Sequence, residues 1–196
     1  AYENREYEER SFDFVFLMLS RLAPEKNIDL ALRAFARVIK DYPQTTLRIV
    51  GDGPERARLE KVARTLNLGA HVQFEGKMMG AREVLPYLKS ADCFLSTSWY
   101  EGYGMSTIEA MSAGLPVITT DTGIAGELVE DGQSGTVVAP GDEEGLAKAM
   151  NEARARPELR QVLGRAAQSN VANLPSYGSY LEEFLGILSL CKVVKN

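Results

Sequence analysis

Two cations and two carboxylates stand out by type and spacing. Arg21 follows an apolar run, and Lys26 lies five residues on, at the expected start of a helix. Two cations near a helix N-terminus suit a diphosphate, because backbone amides and the helix dipole act with them. Taken alone, an Arg and a Lys also read as solvated surface charges. Glu101 and Glu109 frame Glu101-Gly102-Tyr103-Gly104-Met105-Ser106-Thr107-Ile108-Glu109. Gly102 and Gly104 let the backbone approach a ligand closely. The amides of Gly104, Met105 and Ser106 are then free to face an anion at a helix start. Glu109, one turn in, is placed to accept hydrogen bonds from vicinal hydroxyls, as an acidic residue does for ribose in dinucleotide folds. The alternative is a surface helix residue. Its neighbours Ile108, Ala110 and Met111 are apolar, so a carboxylate there is expected to be costly unless paired or ligand-bound.

Other features are weaker. Gly51-Asp52-Gly53-Pro54 suits a phosphate or sugar cradle around Gly53, and equally an ordinary turn. Trp99 and Tyr100 flank Glu101; lining a sugar site and packing under the loop both remain open. His71 is the only histidine and is expected to cap or sit at the surface. With no G-x-S-x-G elbow, a Ser-His-Asp triad is improbable. With no Cys/His cluster at ligand spacing, so is a His-built metal site. A net charge of −5 argues against a nucleic-acid surface. Two distant cysteines, Cys93 and Cys191, favour a reducing, cytoplasmic setting, with Cys93 a buried core thiol. The longest early apolar run, 14–19, is far short of the ~20 residues of a membrane span.

The elements that must position these residues follow from hydrophobic periodicity. Residues 12–19 form a continuous apolar run, expected as a strand buried on both faces. Further strands are expected over 46–50, 71–74, 93–96, 116–120 and 135–138. Helices are expected over 28–40, 55–66, 81–89, 105–113 and 142–154. Pro86 is expected to interrupt or bend the third helix, Gly114 to end the fourth, and Asp142 to cap the fifth. The chain past 159 reads as helical, broken near Leu174-Pro175-Ser176. This alternation predicts a doubly wound, Rossmann-like α/β domain with about six parallel strands. Ligands of such sheets bind beyond the carboxyl ends of the strands, where the residues singled out above fall. The domain is expected over 12–174, preceded by a charged lead-in over 1–11 and followed by a helical segment over 175–196.

Five phrases then occur in order: Ser-Arg-Leu-Ala-Pro-Glu-Lys-Asn (20–27), Val-Gly-Asp-Gly-Pro (50–54), Phe-Glu-Gly-Lys (74–77), the stretch 96–118 around Glu101 and Glu109, and Asp-Gly-Gln-Ser-Gly (131–135). In this order the chain resembles the C-terminal domain of family 4 glycosyltransferases, with their E-x7-E pair at Glu101 and Glu109. The resemblance implies one half of a GT-B fold that binds a UDP- or GDP-linked sugar donor without metal and retains anomeric configuration. It implies that Arg21 and Lys26 hold the diphosphate, Glu101 contacts the donor sugar and Glu109 binds ribose. It further implies backbone contacts to phosphate and sugar from Gly104, Met105, Ser106 and Thr107. The backbone near Lys77 and Met78 would meet the nucleobase.

No N-terminal Rossmann domain precedes Phe12, so the acceptor side, a membrane-face acceptor included, is expected on a domain absent here. The chain alone is expected to bind donor and not to transfer it. The competing readings are a stand-alone nucleotide-sugar-binding module and the donor domain of a glycogen-synthase-like or sucrose-phosphate-synthase-like enzyme.

Overall fold

A computed structural model describes residues 12–174. The segments 1–11 and 175–196, with Cys191 and the expected break at Pro175, lie outside the described residues. Six strands, β1 (Phe14–Leu19), β2 (Thr45–Val50), β3 (Val72–Gly76), β4 (Cys93–Ser96), β5 (Val117–Thr120) and β6 (Thr136–Val138), form one sheet. Their order is β3-β2-β1-β4-β5-β6 and all neighbours pair in parallel. Six α-helices connect and cover them: α1 (Ile28–Asp41), α2 (Arg56–Thr65), α3 (Ala81–Ser90), α4 (Met105–Ser112), α5 (Glu143–Ala155) and α6 (Pro157–Ala172).

The sheet divides the core in two. Side chains alternate across a strand, so Phe14, Phe16 and Met18 of β1 join the cluster with α1, α2 and α5. Val15, Leu17 and Leu19 join the opposite cluster, which takes in Ala110 and Met111 of α4 and Ala167 of α6. All six β1 residues are buried, as the unbroken apolar run requires. Burying each large side chain of this strand contributes about 1.5–3 kcal/mol. Periodicity places Ile28, Ala31, Leu32, Phe35, Val38 and Ile39 of α1 inward; all but half-buried Ile39 are buried, and Leu30 and Ala34 join them. The stripe is wider than periodicity predicts because α1 packs against both the sheet and α5.

Several boundaries differ from expectation. Phe12 lies outside β1 and its ring tilts against His71, centroids 5.4 Å apart. His71 closes a short 3-10 turn, and its Nδ1 lies 3.1 Å from the Thr45 carbonyl oxygen. It fastens the start of β3 to β2. Pro86 does not interrupt α3, which runs through it. Asp142 caps α5 as expected, accepting from the Gly145 amide at 2.9 Å. Cys93 is fully buried, and burial pushes its thiol pKa well up, which makes it inert. Among the described residues, no helix is long and apolar enough to cross a membrane.

Candidate functional site

The strand order reverses between β1 and β4, which neighbour each other at the centre of the sheet. The connections leaving their carboxyl ends run in opposite directions, opening a crevice where ligands bind in such sheets. The segments leaving those two strands contain Arg21 and Lys26 on one side, and Glu101 through the start of α4 on the other.

Lys26 does not start α1. It ends a 3-10 turn, Pro24–Lys26, and Asn27 follows with φ 46°, a left-handed conformation that asparagine tolerates. That kink aims the Lys26 side chain across the crevice. Its Nζ donates to Glu101 Oε2 at 2.6 Å, and each side chain is about one-fifth exposed. Ser98 Oγ donates to the same oxygen at 3.1 Å. Glu101 is seated against two glycines: a Cβ on Gly123 would lie 3.0 Å from Glu101 Cβ, and one on Gly104 would lie 3.4 Å from Glu101 Cγ. Both glycines have positive φ. A cation and a carboxylate far apart in sequence are thus presented as one unit.

Two polar residues that sequence reasoning missed, Thr97 and Thr120, and one backbone amide hold the loops together. Buried Thr97 donates its hydroxyl to the carbonyls of Lys26 and Asn27, at 3.0 and 3.1 Å. Buried Thr120, the last residue of β5, donates to the Ser98 carbonyl at 2.7 Å. The Trp99 amide donates to the Glu25 carbonyl at 2.8 Å. The available signal was the hydroxyl-rich end of two apolar strands, Ser96-Thr97-Ser98 and Thr119-Thr120. Buried hydroxyls at strand ends must find acceptors, and the adjacent loop carbonyls supply them. Thr97→Val is expected to keep the shape and lose two hydrogen bonds, lowering stability by about 1–3 kcal/mol. Denaturant unfolding measures this; an unchanged midpoint would mean the latch contributes nothing.

The remaining residues take different positions. Arg21 is exposed and makes no ion pair among the described residues, so its guanidinium is available to a ligand. Gly104, with φ 77°, precedes α4. Among the described residues, the amides of Gly104, Met105 and Ser106 have no acceptor, whereas that of Thr107 donates to the Gly104 carbonyl at 2.9 Å. Three amides, not four, therefore point out of the helix start. Gly53 has its amide on Asp52 Oδ1 at 2.7 Å, so it is not free for a phosphate in this conformation. Its lack of a side chain serves packing, since a Cβ there would lie 2.4 Å from the Leu22 carbonyl oxygen. Lys77 is exposed beyond β3, and half-buried Met78 packs on the core cluster of α4.

Glu109 corrects an expectation. Ala110 and Met111 are buried and Ile108 is half-buried, but Glu109 lies on the exposed side of α4. Its carboxylate makes no hydrogen bond or ion pair among the described residues. In water an unpaired carboxylate is not costly, so burial gives no reason for it to be ligand-bound.

The chain matches the glycosyl transferases group 1 profile over residues 3–170. Alpha-monoglucosyldiacylglycerol synthase of Acholeplasma laidlawii is 32% identical over 159 residues, 81% of this chain and 39% of that protein. Glycogen synthase of Mycobacterium tuberculosis is 34% identical over 157 residues, 80% of this chain and 38% of that protein. The chain therefore spans about two-fifths of the length of these relatives. Among solved structures, a TarM mutant of S. aureus, in complex with fondaparinux, alpha-GlcNAc-glycerol and UDP, superposes with a TM-score of 0.83 and 26% identity. That superposition covers 95% of this chain and 37% of TarM. The sheet is the Rossmann-like unit found in such GT-B neighbours. Because the family match runs through both strands at the switch point and on into α6, the chain belongs to the glycosyl transferases group 1 family.

Proposed function

We propose that this chain is the nucleotide-sugar-binding unit of a retaining, metal-independent glycosyltransferase of family 4 that transfers a hexosyl group. The observation that supports it most is the Lys26–Glu101 pair at the switch point, beside three unpaired amides at the start of α4. Cleaving a nucleotide-sugar develops negative charge on the departing diphosphate. Arg21, Lys26 and the amides of Gly104, Met105 and Ser106 stabilise that charge without a metal, as preorganised donors. Glu101 accepts hydrogen bonds from the donor sugar, and Glu109, exposed and unpaired, accepts them from the ribose. The TarM neighbour holds UDP, which supports a UDP-linked donor here. Acceptor binding belongs to the part of the relatives that this chain does not match.

Calorimetry with UDP and GDP tests the reading. Binding of one of them is expected, and it is expected to survive EDTA; abolition by EDTA would refute the metal-free assignment. Because Glu109 is exposed, Glu109→Ala is expected to leave the fold intact while weakening nucleotide binding by about 1.5–3 kcal/mol. An unaltered dissociation constant in the folded variant would remove Glu109 from the site.

A further inference from the structure

Ser98 is 2% exposed, and its backbone is tied on both sides. Its carbonyl accepts from the Thr120 hydroxyl at 2.7 Å, and the amide of the next residue, Trp99, donates to the Glu25 carbonyl at 2.8 Å. The serine hydroxyl therefore projects from a fixed place. It donates to Glu101 Oε2 at 3.1 Å, the oxygen that also accepts from Lys26 Nζ at 2.6 Å. Two donors match the two lone pairs of that oxygen. Oε1 of the same carboxylate receives no hydrogen bond among the described residues, and water reaches it. The acceptor capacity left to Glu101 is thus gathered on one atom.

The two donors are not equivalent. Lys26 carries its ammonium as a point charge on a flexible four-carbon stem, and an arriving diphosphate attracts it away from Glu101. The Ser98 hydroxyl is uncharged and stays where the backbone holds it. Once Lys26 turns to the phosphates, the serine is what continues to fix Oε2. The glycine contacts described above grip Cβ and Cγ of Glu101, whereas the carboxylate turns on the next bond. That terminal torsion is broad in glutamate, so packing of the stem does not set it.

We propose that Ser98 is a positioning residue for the donor sugar: by holding Oε2, it presents Oε1 of Glu101 as the atom that accepts a hydrogen bond from a sugar hydroxyl. This rests on the reading above that Glu101 contacts the donor sugar. Calorimetry on the full chain with UDP and with UDP-glucose gives the ratio of the two affinities in the parent, Ser98→Ala, Ser98→Cys and Glu101→Gln. The ratio isolates the sugar, because the nucleotide is common to both ligands. Ser98→Ala is expected to weaken UDP-glucose binding about 3–10-fold, the cost of immobilising one rotamer-rich side chain, and to leave UDP binding unchanged. Ser98→Cys keeps the volume with a far weaker donor and is expected to behave as the alanine does; it carries the test if the smaller residue destabilises the fold. A ratio lost in Ser98→Ala but kept in Ser98→Cys would make Ser98 a packing residue and overturn the proposal. So would equal losses for both ligands, or a ratio unchanged in both folded variants. Glu101→Gln tests the underlying reading: a ratio equal to the parent's there would remove Glu101 from the sugar and overturn both. A ratio lowered by Glu101→Gln and untouched by the Ser98 variants would overturn the Ser98 assignment alone.

Discussion

Lys26→Ala is expected to weaken UDP binding by roughly 10–150-fold, the equivalent of a charge-assisted hydrogen bond of about 1.5–3 kcal/mol. The side chain is only about one-fifth exposed, so water replaces it poorly. The substitution also leaves the Glu101 carboxylate, otherwise 2.6 Å from Nζ, facing the diphosphate without its counter-charge. Repulsion then adds to the lost attraction. Glu101→Gln separates the two effects. It frees Lys26 from its partner and removes a negative charge from the crevice, so UDP is expected to bind as tightly or more tightly. A UDP-sugar should bind with a smaller gain, because the acceptor for its sugar hydroxyls is weakened. Calorimetry on both variants with UDP and UDP-glucose decides. If Lys26→Ala binds UDP as the parent does, the diphosphate lies elsewhere, and the pair is only a structural tie between two loops.

Gly51→Ala is expected to be the most damaging single-methyl substitution. Gly51 has φ 139°, a backbone conformation that residues with a Cβ rarely adopt. An added Cβ would lie 1.8 Å from the carbonyl oxygen of Ser20, which is backbone and cannot swing aside. The Gly51 amide is also tied to the Gly76 carbonyl at 2.7 Å, so the loop after β2 is held from the other side. Strain and clash together are expected to cost about 3 kcal/mol or more. For a domain of this size that lowers Tm by roughly 6–12 °C. Relief of the clash would push the segment after β1 outward and displace Arg21, so nucleotide affinity should fall with stability. Thermal unfolding with and without UDP measures both. A Tm within 2 °C of the parent, about the effect of less than 1 kcal/mol, would show that the loops separate freely.

The elements themselves were legible because their signals are local. The apolar run of β1, the helical spacing of α1 and the Asp142 cap each act within a few residues, through burial, periodicity and one short hydrogen bond. Composition and alternation sufficed for a parallel, doubly wound sheet, since parallel strands require crossovers. Boundaries slipped where tertiary contacts intervened. The Lys26 turn is held by Thr97, whose hydroxyl donates to the carbonyls of Lys26 and Asn27, and Phe12 leaves β1 to meet His71.

The candidate site was legible as a set of residues and not as an arrangement. Arg21, Lys26, Glu101 and the 104–106 amides could be chosen from type and spacing, and their common location at the carboxyl edge follows from the fold class. Which of them touch could not. The Lys26–Glu101 pair, the Thr97 and Thr120 hydrogen bonds and the seat of Glu101 against Gly123 depend on β1 and β4 being neighbours at the centre of the sheet. Glu109 shows the same limit in reverse: apolar neighbours in sequence suggested burial, but a helix turns each residue about 100° from the last, so its neighbours face the core while it faces water. The sequence by itself determined which segments become strands and helices and which residues reach the sheet edge. Only the tertiary structure decided the partners, because a contact between distant loops is set by the order in which crossovers place strands, which no local pattern encodes.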